Sequence, residues 1–198
     1  MSDFQKLISK RRSIYHLDEV VQMMEPEITE LIRSCLYEAP SAFNSQSTRL
    51  VVLYGEAYQS FWQMVQETLR SVVPPASFQK TKERIDSFAQ GTGTILFFED
   101  FSVVRSLQQQ MPIYADRFPI WAEHANAMVQ YMIWVALAEK GIGASLQHYN
   151  PLIDDKVREM FALPQSWQLI AQMPFGHIVE PPAEKTHLPL DQRIKIIR

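Results

Sequence analysis

The stretch Ile120 to Lys140 constrains this fold most, because it is apolar around its circumference and closes with Gly141. A helix without a polar face must be covered on every side, by its own core or by a second subunit, and glycine readily ends a helix. Its richest apolar part, Ala125 to Ala138, is interrupted by Asn126 and Gln130 and falls short of the roughly 20 residues that span a bilayer. The pattern predicts a helix at the centre of a core or of a dimer interface, with Met128, Tyr131, Met132 and Trp134 as packing residues.

Shorter elements surround it. Ile28, Leu31, Ile32, Cys35 and Leu36 recur at helical spacing behind Pro26, which predicts a helix from Pro26 to Tyr37. Leu50 to Tyr54, ended by Gly55, reads as a strand buried on both faces. Helical patterns cover Ala57 to Leu69 and Phe78 to Phe88, with a break at Pro74-Pro75. Thr94 to Phe98 reads as a second buried strand, followed by the acidic pair Glu99-Asp100. Trp167 to Met173 reads as a third, stopped by Pro174. The apolar alternation from Arg193 to Ile197 predicts a further strand, added within the chain or to another subunit. Helices and strands do not alternate regularly, so the expected class is α+β, a sheet flanked by helices, rather than a doubly wound sheet. A chain of 198 residues with 46% hydrophobic residues is expected to form one domain, 1–198.

Several function classes are disfavoured. A formal charge of -3 and scattered cations give no footprint for nucleic acid. Met1 to Arg12 mixes Asp3, Lys6, Lys10 and Arg11 among apolar residues, unlike a signal peptide, so a cytoplasmic protein is expected. The single Cys35 reads as a small buried hydrophobe. His16, His124, His148, His177 and His187 lack ligand spacing, and no metal is expected. GxSxG, GxGxxG and GxxxxGK are absent, which removes the hydrolase elbow, the Rossmann fingerprint and the P-loop.

Three segments hold the remaining chemistry. Lys10-Arg11-Arg12-Ser13 follows a short helix pattern (Phe4, Leu7, Ile8) and offers two guanidinium forks and a hydroxyl, suited to a phosphate or to capping a helix dipole. Pro40 to Ser47 carries the amides of Asn44 and Gln46 and the hydroxyls of Ser41, Ser45 and Ser47. That set suits a neutral polar ligand, or an ordinary turn bonding its own backbone. Gly141 to Asn150 combines two glycines with Gln147, His148, Tyr149 and Asn150, so a backbone N–H there could face a ligand. His148 has no carboxylate near it in the chain and is not assigned catalysis.

Together with Glu184-Lys185, these segments resemble, in order and spacing, the flavin-binding segments of the nitroreductase superfamily. Phe97 to Asp100, Tyr114 to Pro119, Leu146 to Leu152 and Gln172 to Gly176 resemble more narrowly its small subgroup of fatty-acid-repression-mutant-like proteins. The resemblance implies a mostly antiparallel sheet, an intertwined homodimer with the long helix at its interface, and FMN held by both chains. It implies that Arg11, Arg12, Ser13 and Lys185 hold the FMN phosphate. Ser41, Asn44 and Gln46 reach the flavin from either subunit, and Leu146, Gln147 and His148 lie against its central ring. NAD(P)H would donate two electrons, passed in ping-pong order to a nitroaromatic or quinone-like acceptor, with no catalytic side chain. His187 stands where larger relatives carry a second basic residue, which implies weaker phosphate binding. A flavin-binding redox sensor, or an interaction protein without cofactor, are the alternative readings.

Overall fold

The structure, a computed structural model, describes residues 1–19 and 21–198. Ser2 and Gln5 form a capping box that starts α1 (Asp3–Lys10). The chain continues through β1 (Leu17–Asp18), α2 (Glu25–Glu38), β2 (Thr48–Leu53), α3 (Gly55–Arg70), α4 (Pro75–Ala89) and β3 (Gly93–Asp100). It then forms α5 (Phe101–Gln110), α6 (Phe118–Glu139), β4 (Gly143–Ala144), α7 (Asp154–Met160) and β5 (Trp167–Ile178). These strands pair antiparallel in the order β1-β5-β3-β2, with β4 also on β5. The expected α+β class and helix-flanked sheet are both present.

β3 is buried along its whole length, and its side chains alternate between the two faces of the sheet. Leu96 and Phe98 meet Phe61, Trp62, Val65 and Phe88 of α3 and α4. Ile95 and Phe97 meet Ile28 and Ile32 of α2 and Val129, Ile133 and Leu137 of α6. Each such fully buried side chain contributes about 1.5–3 kcal/mol relative to exposure. A register shift at Phe97/Phe98 marks a bulge in the β3 to β5 ladder, so Ala171 and Met173 pack on the α6 side while Leu169 packs on the α3 side.

α6 lays Val129, Ile133 and Leu137 on the sheet, while Phe118 and Ala122 pack with Val104 of α5. Asn126 and Gln130, which interrupt the apolar run, are buried on the same side and bonded. Asn126 Nδ2 donates to Glu99 Oε1 at 2.9 Å and to Phe98 O at 3.1 Å, and Gln130 Nε2 donates to Asn126 Oδ1 at 2.7 Å. Thr48 Oγ1 donates to the same Glu99 oxygen at 2.6 Å, which ties α6 to β2 and β3. On the outer side Met128 and Tyr131 remain 40% and 41% exposed, so this chain covers α6 on one side only. Among the described residues no helix is long and apolar enough to cross a membrane.

Several sequence expectations are corrected. β2 runs from Thr48 to Leu53 as the half-buried last strand of the sheet rather than a strand buried on both faces, because among the described residues only β3 pairs with it. Glu99 and Asp100 lie inside β3 instead of following it, and both are buried. Pro75 opens α4, where a missing N–H costs nothing, rather than separating two helices from outside. Pro174 does not stop β5. Gln172 N–H points to Gln147 O, so two residues on, Pro174 turns its nitrogen to that same side, away from the β3 ladder, and its carbonyl accepts from Ser145 N–H. Beyond β5 the tail holds one short 3-10 turn, Leu190–Gln192, and the predicted strand over Arg193 to Ile197 does not form within this chain.

Candidate active site

At the C-terminal end of α6, Lys10 Nζ donates to Glu139 O at 2.9 Å, a cation on a carbonyl left free by the helix end. The next residue, Arg11, stacks its guanidinium 4.2 Å from the centre of the Trp134 ring. Trp134 Nε1 donates to Ala144 O at 3.1 Å, and Ile14 N–H donates to the same oxygen at 3.0 Å. Arg11 Nε is buried without a partner among the described residues. Arg12 Nη2 donates to Ala183 O and draws the C-terminal tail back over the turn. Arg11, Arg12, Ser13 and Lys185, from opposite ends of the chain, consequently line one groove of about 540 Å³, which Glu180 and Glu184 also border.

A second groove of about 580 Å³ shares Tyr15 and His16 with the first. Its far wall is the stripe Ser77, Lys80, Thr81, Arg84 and Ser87, which α4 presents on one face by its three- and four-residue spacing, together with Glu83 and Tyr149. The Arg84 guanidinium lies 5.3 Å from the Tyr15 ring, and neither Arg84 nor Lys80 is in an ion pair among the described residues. Burial pushes the Tyr149 hydroxyl up to about 12, an effect that Arg84 moderates. Sequence reading missed Lys80 and Arg84, and gave Tyr15 no role beyond its place after the Arg11 turn. The signal was the polar stripe on α4, which runs beside the core residues Ile85 and Phe88 of the same helix.

Leu146, Gln147 and His148 lead into Tyr149 and lie near the Arg11 turn, since Ser13 forms a bridge with Ala144. Gln147 is consumed internally. Its N–H donates to Gln172 O at 2.7 Å and its Nε2 to Ser145 Oγ at 3.0 Å. The N–H groups of Leu146 and His148, which alternate to the other side, make no hydrogen bond among the described residues. His148 is exposed and meets no carboxylate within ion-pair distance. Partial burial pushes the Cys35 thiol above its ordinary range.

The Ser41 to Gln46 loop is elsewhere. Phe43 packs its ring 5.6 Å from Phe118 and 5.9 Å from Trp121, at the N-terminal end of α6. Roughly 20 Å of helix axis separates Trp121 from Trp134. Ser41, Asn44 and Gln46 line a separate groove of about 750 Å³ with Arg33, Thr48, Arg49 and Trp167. Phe43, Asn44 and Gln46 hold φ of 54°, 51° and 48°. This left-handed region costs an L-residue about 1–2 kcal/mol, with Asn the most tolerant of the three. Within one chain, then, the Arg11, Leu146 and Lys185 segments come together and the Ser41 to Gln46 loop does not join them.

A model of the nitroreductase family matches residues 8–177. The Saccharomyces cerevisiae protein HBN1 is 34% identical over 98% of this chain and 97% of its own length, and nitroreductase FRM2 of the same yeast is 32% identical over 91% of each. The solved nitroreductase CinD from Lactococcus lactis superposes with a TM-score of 0.92 at 41% identity, over 99% of this chain and 100% of its own. These matches agree with the subgroup indicated by the Gln172 to Gly176 and Leu146 to Leu152 strings. On the matched residues 8–177 and on the agreement of fold, this chain belongs to the nitroreductase family.

Proposed function

We propose that the chain acts as one FMN-binding unit, an oxidoreductase that passes two electrons from NAD(P)H to a nitroaromatic or quinone-like acceptor. The observation that carries this reading is the groove joining Arg11, Arg12 and Ser13 to Lys185. A phosphate would meet three cations and a hydroxyl there, and the buried, unpartnered Arg11 Nε supplies a donor in need of an acceptor. The two contiguous grooves, about 540 and 580 Å³, each fall in the range of roughly 300–1,000 Å³ usual for cofactor sites. The residues present therefore fit the cofactor.

Arg11 and Ser13 would hold the phosphate, with Arg12 on the same turn and Lys185 closing from the tail. Leu146, Gln147 and His148 would border the ring, through the free N–H groups of Leu146 and His148 rather than through Gln147. Lys80 and Arg84 would place two cations on the α4 wall of the adjoining groove, beside the carboxylate of Glu83. When bound, FMN would supply the two-electron redox chemistry that links nicotinamide to acceptor in ping-pong order. The chain contributes binding, orientation and electrostatics, and no side chain is assigned as catalytic. The Ser41, Asn44 and Gln46 groups, about 20 Å along α6 from the Arg11 stack, would reach the flavin held by a second copy. The half-exposed outer side of α6 supports such a homodimer.

Two further likenesses support the reading. CinD has been solved with chloramphenicol, nicotinic acid and 4-nitrophenol. A nitroreductase from Desulfitobacterium hafniense, similar in fold at 17% identity and a TM-score of 0.72, carries bound FMN. The test is an anaerobic absorbance titration of the purified protein with FMN and then with NADH or NADPH. Bound flavin that bleaches on adding nicotinamide is the expected result. Bound flavin that resists both donors points to a redox sensor, and a protein that binds no FMN overturns the cofactor.

A further inference from the structure

Three residues of the Ser41 to Gln46 loop hold a left-handed conformation, which two of them, Phe43 and Gln46, do not favour. Local bonds contribute a part. Ser41 Oγ accepts the Gln46 N–H at 3.0 Å, Ser41 O accepts from Asn44 N–H at 3.0 Å, and Ala42 O from Ser45 N–H at 3.1 Å. The remaining hold comes from outside the loop. Arg49 Nη1 donates to Gln46 O at 2.6 Å and to Thr48 O at 3.2 Å, while Nη2 donates to Asp100 Oδ2 at 3.2 Å. Asp100 is fixed in turn, because its Oδ1 accepts from Ser102 N–H at 3.0 Å and Ser102 Oγ at 2.6 Å, and its own N–H donates to Ser47 O at 2.9 Å. One planar fork thus spans from the loop to the first turn of α5, a geometry that a single ammonium cannot reproduce.

We infer that Arg49, oriented by Asp100, is a positioning residue that holds the Ser41 to Gln46 loop in the shape needed to present Asn44 and Gln46 to the flavin. This rests on the proposed flavin role of the loop. The bracket is built for the purpose. The Arg49 side chain is 31% exposed and the Asp100 side chain 11%, so the pair is shielded, and Arg49 borders the same groove as Asn44 and Gln46. Burial alone would raise the Asp100 carboxyl, but bonds from Ser102 and Ser166 and the Arg49 charge outweigh it and keep the group below its ordinary range.

The test compares Arg49→Ala, Arg49→Lys and Asn44→Ala. Hydrogen exchange at the Asn44, Ser45 and Gln46 amides is read in flavin-free protein, and the FMN dissociation constant and the visible circular dichroism of bound flavin in loaded protein. Arg49→Ala is expected to speed exchange at Gln46, weaken FMN about tenfold and alter the flavin dichroism, with Arg49→Lys falling between it and wild type. Unchanged exchange overturns the inference. So does unchanged FMN affinity in Arg49→Ala when Asn44→Ala weakens it, an outcome that leaves the flavin role of the loop standing. If none of the three variants alters FMN affinity, the flavin role of the loop falls and the positioning role falls with it. Should Arg49→Ala not fold, Asp100→Asn keeps the volume and a bond to Ser102, and it reads the same quantities.

Discussion

The two ends of α6 present polar groups by opposite means. At the C-terminal end, Arg11 has an ordinary extended backbone, φ −66° and ψ 117°, and its long side chain is steadied by the face of Trp134. At the N-terminal end, Phe43, Asn44 and Gln46 all sit at positive φ, and their short neutral groups are aimed by the backbone itself. A charged anchor tolerates reach, because its attraction falls off slowly with distance and several cations share one anion. A neutral hydrogen-bonding edge has no such tolerance, since donor and acceptor must meet within a few tenths of an ångström and in line. One end invests in charge, the other in backbone conformation.

The largest effect that would sharpen this contrast is expected at the charged end. Arg11→Ala removes charge-assisted bonds worth about 1.5–3 kcal/mol and should weaken FMN on the order of ten- to a hundredfold, measured by titration of flavin-free protein. An unchanged dissociation constant would remove Arg11 from the phosphate site and with it the division of labour. A smaller effect is expected from Trp134→Leu, which removes a stack worth roughly 0.5–2 kcal/mol and leaves the charge in place. Its several-fold loss of FMN affinity should vanish in an Arg11→Ala background. Persistence in that double-mutant cycle would mean that Trp134 acts through packing rather than through Arg11.

The smallest effect lies at the strained end and depends on pH. Asp100 has a folded-state value below its unfolded one, so its contribution to stability is present above the unfolded carboxyl value of about 3.9 and is lost as pH falls through the lower folded value. In urea melts the wild type should lose stability over that acid window. Asp100→Asn should be less stable than wild type near neutrality and should approach it in acid. Parallel curves at all pH values would show that the Arg49 to Asp100 pair carries no charge-dependent stability.

Legibility in the sequence followed the same division. Arg11, Arg12, Ser13 and Lys185 could be singled out because clustered charge is visible without coordinates, and the structure gathers them in one groove. The α4 cations Lys80 and Arg84 escaped notice because, four residues apart among other charges, they look like any solvated helix face until Tyr15 and Tyr149 are brought opposite. Asn44 and Gln46 were legible as residue types, whereas their left-handed backbone was not, since neither is glycine. Arg49 and Asp100 are distant in the chain and meet because β2 and β3 pair in register, with Thr48 opposite Glu99.

By itself the sequence determined the helices and strands whose apolar periodicity is strong, the α+β class, and the chemical character of each candidate segment, because these depend on local pattern and residue type. Tertiary structure alone decided that Pro174 lies inside β5, that Glu99 is buried beneath α6, and that the Arg11 groove and the Asn44 loop stand at opposite ends of one helix. Those outcomes depend on which backbone edges pair and on which faces remain to be covered, and such long-range competition leaves no trace in the order of residues along the chain.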